Sequence, residues 1–140
     1  MSKKDFSGKF FVAGNAKGNV VKSERPISFW GGLDPDSGRI IDRRSDVNGR
    51  SIAGKIFAFP EGIGSSTTSA VLLQAVKNET SPVGIVNVTT EPILVSGALV
   101  LRELYGVTVP VVSIDRPHFD RLEDSDELEL VGDTGKVKVL

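Results

Sequence analysis

A three-layer β/β/α domain, with a parallel sheet as the middle layer, is the α/β fold this sequence predicts. Three observations predict it. The middle of the chain alternates short apolar runs with stretches of helical periodicity, the pattern of parallel strands joined by helical crossovers. Both ends read instead as strands and turns, material for a flanking antiparallel sheet. No internal repeat, low-complexity tract or linker divides the 140 residues. Residues 1–140 are therefore expected to form one domain, which at this size buries roughly 68–70% of its unfolded surface.

Taken in order, Lys9–Ala13 and Asn19–Lys22 read as strands separated by the turn-rich Gly14-Asn15-Ala16-Lys17-Gly18. Ile27–Trp30 follows as a strand, then the turn Asp34-Pro35-Asp36-Ser37-Gly38, the strand Arg39–Asp42 and a polar loop over residues 43–50. Lys55–Phe59 is a largely apolar run, as expected of a strand buried on both faces. Pro60-Glu61-Gly62-Ile63-Gly64 breaks it, and Ser65 or Ser66 caps a helix that runs to about Val76. Val83–Val88 is the second buried strand. A second helix starts near Pro92, a residue suited to the first helical position, and ends at Gly106. Val109–Ile114 is the third buried strand. Glu127–Val131 and Lys136–Leu140 make a hairpin around Gly132-Asp133-Thr134-Gly135.

Composition excludes several kinds of chemistry. Seventeen Lys and Arg against eighteen Asp and Glu leave a net charge near −1, which argues against a nucleic-acid or acidic-membrane partner. No apolar run approaches the ~20 residues of a membrane span. The sequence Met1–Phe6 lacks the apolar core of a signal peptide, so a cytoplasmic location is expected. With no cysteine and one histidine, this chain offers no thiolate nucleophile, disulfide or multi-histidine metal site, and no metal site is assigned to it. His118, in the proline-marked turn Arg116-Pro117-His118-Phe119, reads as an ordinary loop residue, because no G-x-S-x-G elbow accompanies it.

Ligands of open α/β sheets bind beyond the carboxyl ends of the parallel strands. Three loops are expected there: Pro60–Ser66, Thr89–Glu91 and Asp115–Phe119. The first says most. Gly62 and Gly64 let backbone approach a ligand, and Ser65 and Ser66 stand at a helix amino terminus whose free N–H groups favour an anion. The same Ser-Ser-Thr-Thr-Ser run also suits a plain helix cap. No P-loop lysine follows, which argues against ATP. Thr89-Thr90-Glu91-Pro92 reads as a second cap with Thr90 bonded to the helix N–H groups. Arg43 and Arg44 are candidates to grip a carboxylate or phosphate. Phe29 is expected in the core, and Trp30, beside Gly31-Gly32, on a partner surface.

Ser28-Phe29-Trp30-Gly31-Gly32, Asp34 with Gly38-Arg39-Ile40-Ile41-Asp42, Gly49–Lys55, Pro60-x-Gly62-x-Gly64-Ser65-Ser66, Val95–Ala98 and Tyr105–Val112 together resemble the small subunit of the aconitase X family. The resemblance covers the chain from about residue 8 to 140 and implies a swivelling β/β/α domain. It implies a heterodimer with a large subunit carrying a [4Fe-4S] cluster on its own cysteines, and no cofactor on this chain. It further implies a hydro-lyase of a 3-hydroxy acid. Archaeal two-subunit members dehydrate mevalonate 5-phosphate in isoprenoid biosynthesis, and bacterial relatives include cis-3-hydroxyproline dehydratases. Aconitase-type enzymes use the first serine of a Gly-Ser-Ser motif as base, which here is Ser65, with Gly64 and Ser66 as its substrate-binding neighbours. Aconitase follows that motif with an arginine that clamps a substrate carboxylate, whereas this chain has Thr67. A tricarboxylic substrate is therefore not expected. A non-catalytic anion-binding or regulatory module is the alternative from outside the enzymes.

Overall fold

The computed structural model describes residues 5–29, 31–63 and 68–140. In chain order they form β1 (Asp5–Ser7), β2 (Lys9–Val12), β3 (Asn15–Lys22), β4 (Leu33–Asp34), β5 (Arg39–Ile40), β6 (Ile56–Ala58), α1 (Thr68–Lys77), β7 (Gly84–Asn87), α2 (Pro92–Tyr105), β8 (Val111–Ser113), α3 (Arg116–Arg121), β9 (Glu127–Val131) and β10 (Lys136–Val139).

The three buried runs of the central sequence become β6, β7 and β8, paired in parallel, with the end of β3 parallel to β6. Alternate side chains leave this sheet on opposite faces. Phe57, Ile85 and Val111 face a cluster that includes Leu72 and Ala75 of α1 and Leu94, Ala98 and Leu101 of α2. Ile56, Ala58, Val86 and Val112 face Leu128 and Leu130 of β9 and Val137 of β10. Helices thus cover one face and antiparallel strands the other, the expected layer order. Residues such as Phe57, Leu72, Ile85 and Leu128 are fully excluded from water, and each such burial contributes about 1.5–3 kcal/mol.

The two sheet layers are one ribbon. Eight strands run in the order β1-β10-β9-β3-β6-β7-β8-β2. The outermost strands, β1 and β2, are consecutive in the chain with only Gly8 between them. Strand β3 crosses between the layers at its middle: Asn15–Asn19 pair with β9, and Val20–Lys22 with β6. Both corners carry glycine. A Cβ on Gly8 would lie 2.4 Å from Val112 Cγ2, and one on Gly18 would lie 3.3 Å from the Gly54 carbonyl. Close backbone passage at a barrel corner needs that missing side chain.

Several expected elements differ. Gly14–Gly18 is not the turn of a hairpin, because β3 already begins at Asn15 and pairs with β9 rather than β2. Ile27–Trp30 is not a strand; Ile27 makes a single bridge to Gly62, and Trp30 lies outside the described residues. Arg39–Asp42 shortens to β5, which pairs with β4 around the expected turn. There the Asp34 carboxylate accepts from Asp36 N–H at 3.0 Å and from the Ser37 hydroxyl at 2.8 Å, while Gly38 takes φ 76°. The expected loop Asp115–Phe119 is largely the short helix α3, whose Phe119 packs into the core between the sheets. Helix α2 begins at Pro92 as expected and ends against Gly106 in the left-handed conformation (φ 66°).

Candidate active site

Strand β6 delivers the chain to its carboxyl end already pinned on both sides. Phe59 N–H donates to Val86 at 3.0 Å, and the Pro60 carbonyl accepts from both Val88 and Thr89 N–H, each at 3.0 Å. The Asn87 side chain, fully buried, donates to the Phe59 carbonyl at 3.1 Å. Glu61 then bridges Thr89, and Gly62 bridges Ile27. Ile27 N–H donates to Glu61 at 3.1 Å, and Ile63 N–H donates back to Ile27 at 2.8 Å. The Pro60–Ser66 segment is therefore an extension of the sheet as far as Ile63. Gly64, Ser65 and Ser66, the residues on which the sequence places catalysis and substrate binding, lie outside the described residues. The chain is described again from Thr68, the first residue of α1.

The amino termini of α1 and α2 lie side by side, joined by a bond from the Ser69 hydroxyl to the Ile93 carbonyl at 3.2 Å. Helix α2 is closed by its own carboxylate. Glu91 accepts from Ile93 N–H at 2.7 Å and from Leu94 N–H at 3.1 Å. This corrects the expected cap: Thr90 precedes the capping position, and its hydroxyl oxygen is buried with no hydrogen-bond partner among the described residues. The backbone of Glu91 is extended (φ −86°, ψ 129°), the conformation that turns a side chain back onto the first N–H groups. Helix α1 has no acidic residue in its first turn. Its Thr68 is 5% exposed, and the hydroxyl oxygen has no partner among the described residues.

Gly62, Ile63, Thr68 and Glu91 surround a hollow whose floor is carbon, from Ile27, Phe29, Phe59 and Leu94. Phe29 belongs to the core, as expected, with its ring 5.9 Å from that of Phe59. The hollow measures about 10 Å³, far below the roughly 300–1,000 Å³ of a pocket that encloses a small molecule. At this hollow, the described residues alone do not enclose a substrate.

Other sequence candidates sit apart from this arrangement. Arg43 and Arg44 are exposed. Arg44 pairs with Asp42 at 3.5 Å, and Arg25 donates to the Arg44 carbonyl at 2.8 Å. The Arg44 N–H, then the Arg44 and Arg25 charges, hold the Asp42 carboxyl below its usual range. No bond among the described residues joins these arginines to the Pro60 segment. His118 lies 2.6 Å from Asp115 through Nδ1 and stacks on Phe6 at 4.3 Å between ring centres. It stands in the short helix α3 rather than in the expected loop, with its backbone N–H donating to the capping Asp115 carboxylate at 2.9 Å. Sequence reasoning passed over Thr68, Asn87 and Glu91. Asn87 alone left a signal, a polar residue inside the apolar run Val83–Val88.

Comparison with known proteins fits this architecture. The family model of the aconitase X swivel domain matches residues 5–139. The phosphomevalonate dehydratase small subunit of Methanothermobacter thermautotrophicus is 42% identical over 128 residues, 89% of this chain and 92% of that one. The cis-3-hydroxy-L-proline dehydratase of Pseudomonas aeruginosa is 39% identical over 111 residues, 79% of this chain but 19% of that protein. Among solved structures, the holo-form crystal structure of Thermococcus kodakaraensis aconitase X superposes with a TM-score of 0.88 at 34% identity, covering 98% of both chains.

Proposed function

The chain belongs to the aconitase X swivel-domain family, and from that premise we propose that it is the small subunit of a dehydratase converting mevalonate 5-phosphate to trans-anhydromevalonate 5-phosphate. The observation that carries the reading is the full-length similarity to archaeal small subunits of that name, which reaches 42% identity. In this reading the partner is the large subunit of a heterodimer, and the pair works in the cytoplasm on the mevalonate route to isoprenoids. Among the described residues no helix is long and apolar enough to cross a membrane.

No residue set of this chain fits an iron–sulfur cluster. Cysteine is absent from the sequence, and among the described residues no three His, Asp or Glu side chains group as ligands. In this reading the [4Fe-4S] cluster is held by the large subunit. What this chain contributes is Ser65, with Gly64 and Ser66 beside it. Ser65, as its alkoxide, accepts the proton from C2 next to the substrate carboxylate; the C2–H electron pair becomes the C2–C3 double bond as the C3–O bond breaks, and the departing hydroxide takes up a proton and leaves as water.

A serine base needs help. A helix amino terminus contributes about 0.3–1 kcal/mol, at best ~2, and one pKa unit takes about 1.36 kcal/mol. Helix α1 has no acidic residue in its first turn, and on these figures its terminus supplies less than about one unit, at best ~1.5. Cations from the large subunit supply the remainder, their attraction strengthened when closure of the site lowers the local dielectric. The isolated chain is accordingly inactive.

The test is to purify both subunits, mix them and assay mevalonate 5-phosphate by loss of substrate and appearance of the unsaturated acid. Activity only in the mixture is the expected result. The Pseudomonas relative favours one other substrate: a mixture silent on mevalonate 5-phosphate but active on cis-3-hydroxyproline would replace the first reading. A mixture that binds anions without turnover would make the chain a binding module.

A further inference from the structure

We propose that the hollow beside Gly62 is a specificity pocket for the methyl group on C3 of the substrate, an inference that rests on the function proposed above. Its place fits, since Gly62, Ile63 and Thr68 bracket the segment that carries Ser65. So does its size: about 10 Å³ admits one methyl- or water-sized group, and neither a carboxylate nor a phosphate. Phe59 and Leu94, 1% and 2% exposed, supply carbon rather than hydrogen-bonding groups. The Glu91 carboxylate accepts the Ile93 and Leu94 N–H groups, so the α2 terminus beside the hollow offers neither of these donors to an anionic end of the substrate.

Gly62 makes the idea testable. A methyl built on it meets Glu91 Cβ at 3.6 Å, the Ile27 carbonyl at 3.8 Å and Phe59 Cε2 at 3.9 Å, all ordinary contacts, and its φ is not in the left-handed region. Among the described residues nothing in the packing requires glycine there. An alanine would put its own methyl into the hollow and exclude that of the substrate.

The experiment compares the reconstituted wild-type and Gly62→Ala enzymes on mevalonate 5-phosphate and on the analogue that lacks the 3-methyl group. One methyl in an apolar pocket is worth roughly 10–200-fold in kcat/KM. Wild type should prefer the methylated substrate by about that factor. Gly62→Ala should lose a similar factor on mevalonate 5-phosphate and distinctly less on the analogue, so that the preference for the methylated substrate collapses. Leu94→Val, which removes one carbon from the wall, should raise the relative rate on a 3-ethyl analogue, and it serves if Gly62→Ala fails to fold. Equal loss by Gly62→Ala on both substrates, or no loss on either, overturns the pocket while leaving the dehydratase reading standing, and marks the hollow as a water site. A wild-type pair inactive on both compounds removes the reading and the pocket together.

Discussion

The junctions β6–α1 and β7–α2 stand one strand apart at the same end of the sheet, yet they treat their helix termini in opposite ways. At β7–α2 the terminus is consumed by structure. Glu91 takes two N–H groups, Pro92 removes a third donor from the sequence, and the helix dipole meets a carboxylate at once. At β6–α1 no acid enters the first turn, the Thr68 hydroxyl is unpaired among the described residues, and the segment carrying Ser65 precedes it. Asp115 closes α3 as Glu91 closes α2, accepting from His118 N–H at 2.9 Å. The lesson is that an N-terminus facing chemistry has to be left without its own anion.

That comparison can be broken from either side, and of the two sides the larger effect is expected where the junctions are made alike. Ser66→Asp gives α1 a carboxylate of its own. A negative charge within ~4–6 Å raises the pKa of a neighbouring acid, and each unit costs the base about tenfold. Turnover of the reconstituted pair should fall at least about tenfold with melting temperature unchanged or raised. Retained turnover would mean that the absence of an acid from the first turn of α1 is irrelevant to the reaction.

Glu91→Ala attacks the closed junction. Losing a cap costs about 0.5–2 kcal/mol, which chemical denaturation of the isolated chain would resolve. Stability equal to wild type would show that Glu91 does not hold α2. Thr90→Val separates the two capping assignments more finely. Its hydroxyl is buried without a partner among the described residues, so removal should leave stability unchanged or raise it by up to ~1 kcal/mol. A loss would restore Thr90 as the cap.

The smallest effect is a pH dependence at α3. The His118 N–H, together with the His118 side chain and the Arg121 charge, holds the Asp115 carboxyl below its ordinary value of 3.8. A folded-state pKa below the unfolded one stabilises above the unfolded value and is lost as pH falls through the folded value. Asp115→Asn should therefore flatten the acid limb of the melting curve below pH 3.8. An unchanged limb would remove Asp115 from the acid response.

The readable parts of the sequence were those fixed by local chemistry. Buried strands announce themselves as apolar runs such as Lys55–Phe59. Helix α2 carries Pro92 at one end, its ring fixing the φ that a first turn needs, and at the other Gly106, which without a side chain is free to take the positive φ of the cap. Pairing between distant segments leaves no such mark. Gly14–Gly18 looks like a turn because it is rich in glycine and asparagine, but Gly18 is there for a close approach to Gly54, and the segment is held by β9 more than a hundred residues away. The closure through Gly8 is hidden for the same reason. At the site, the Ser65 motif was visible as a spacing of residue types. The choice of Glu91 over Thr90 was not, because it turns on which of two adjacent residues adopts the extended capping conformation.

The most direct test of the open junction is kcat of the reconstituted pair carrying Ser65→Ala, beside Ser66→Ala, with thermal melts and subunit affinity measured on the same samples. Loss of a positioned base costs about 10²–10⁴-fold. Ser65→Ala should lose at least that factor with folding and assembly intact, while Ser66→Ala loses about 0.5–2 kcal/mol of stability and little turnover. More than a tenth of wild-type kcat in Ser65→Ala, or a larger loss of turnover in Ser66→Ala, would contradict the assignment of Ser65 as the base.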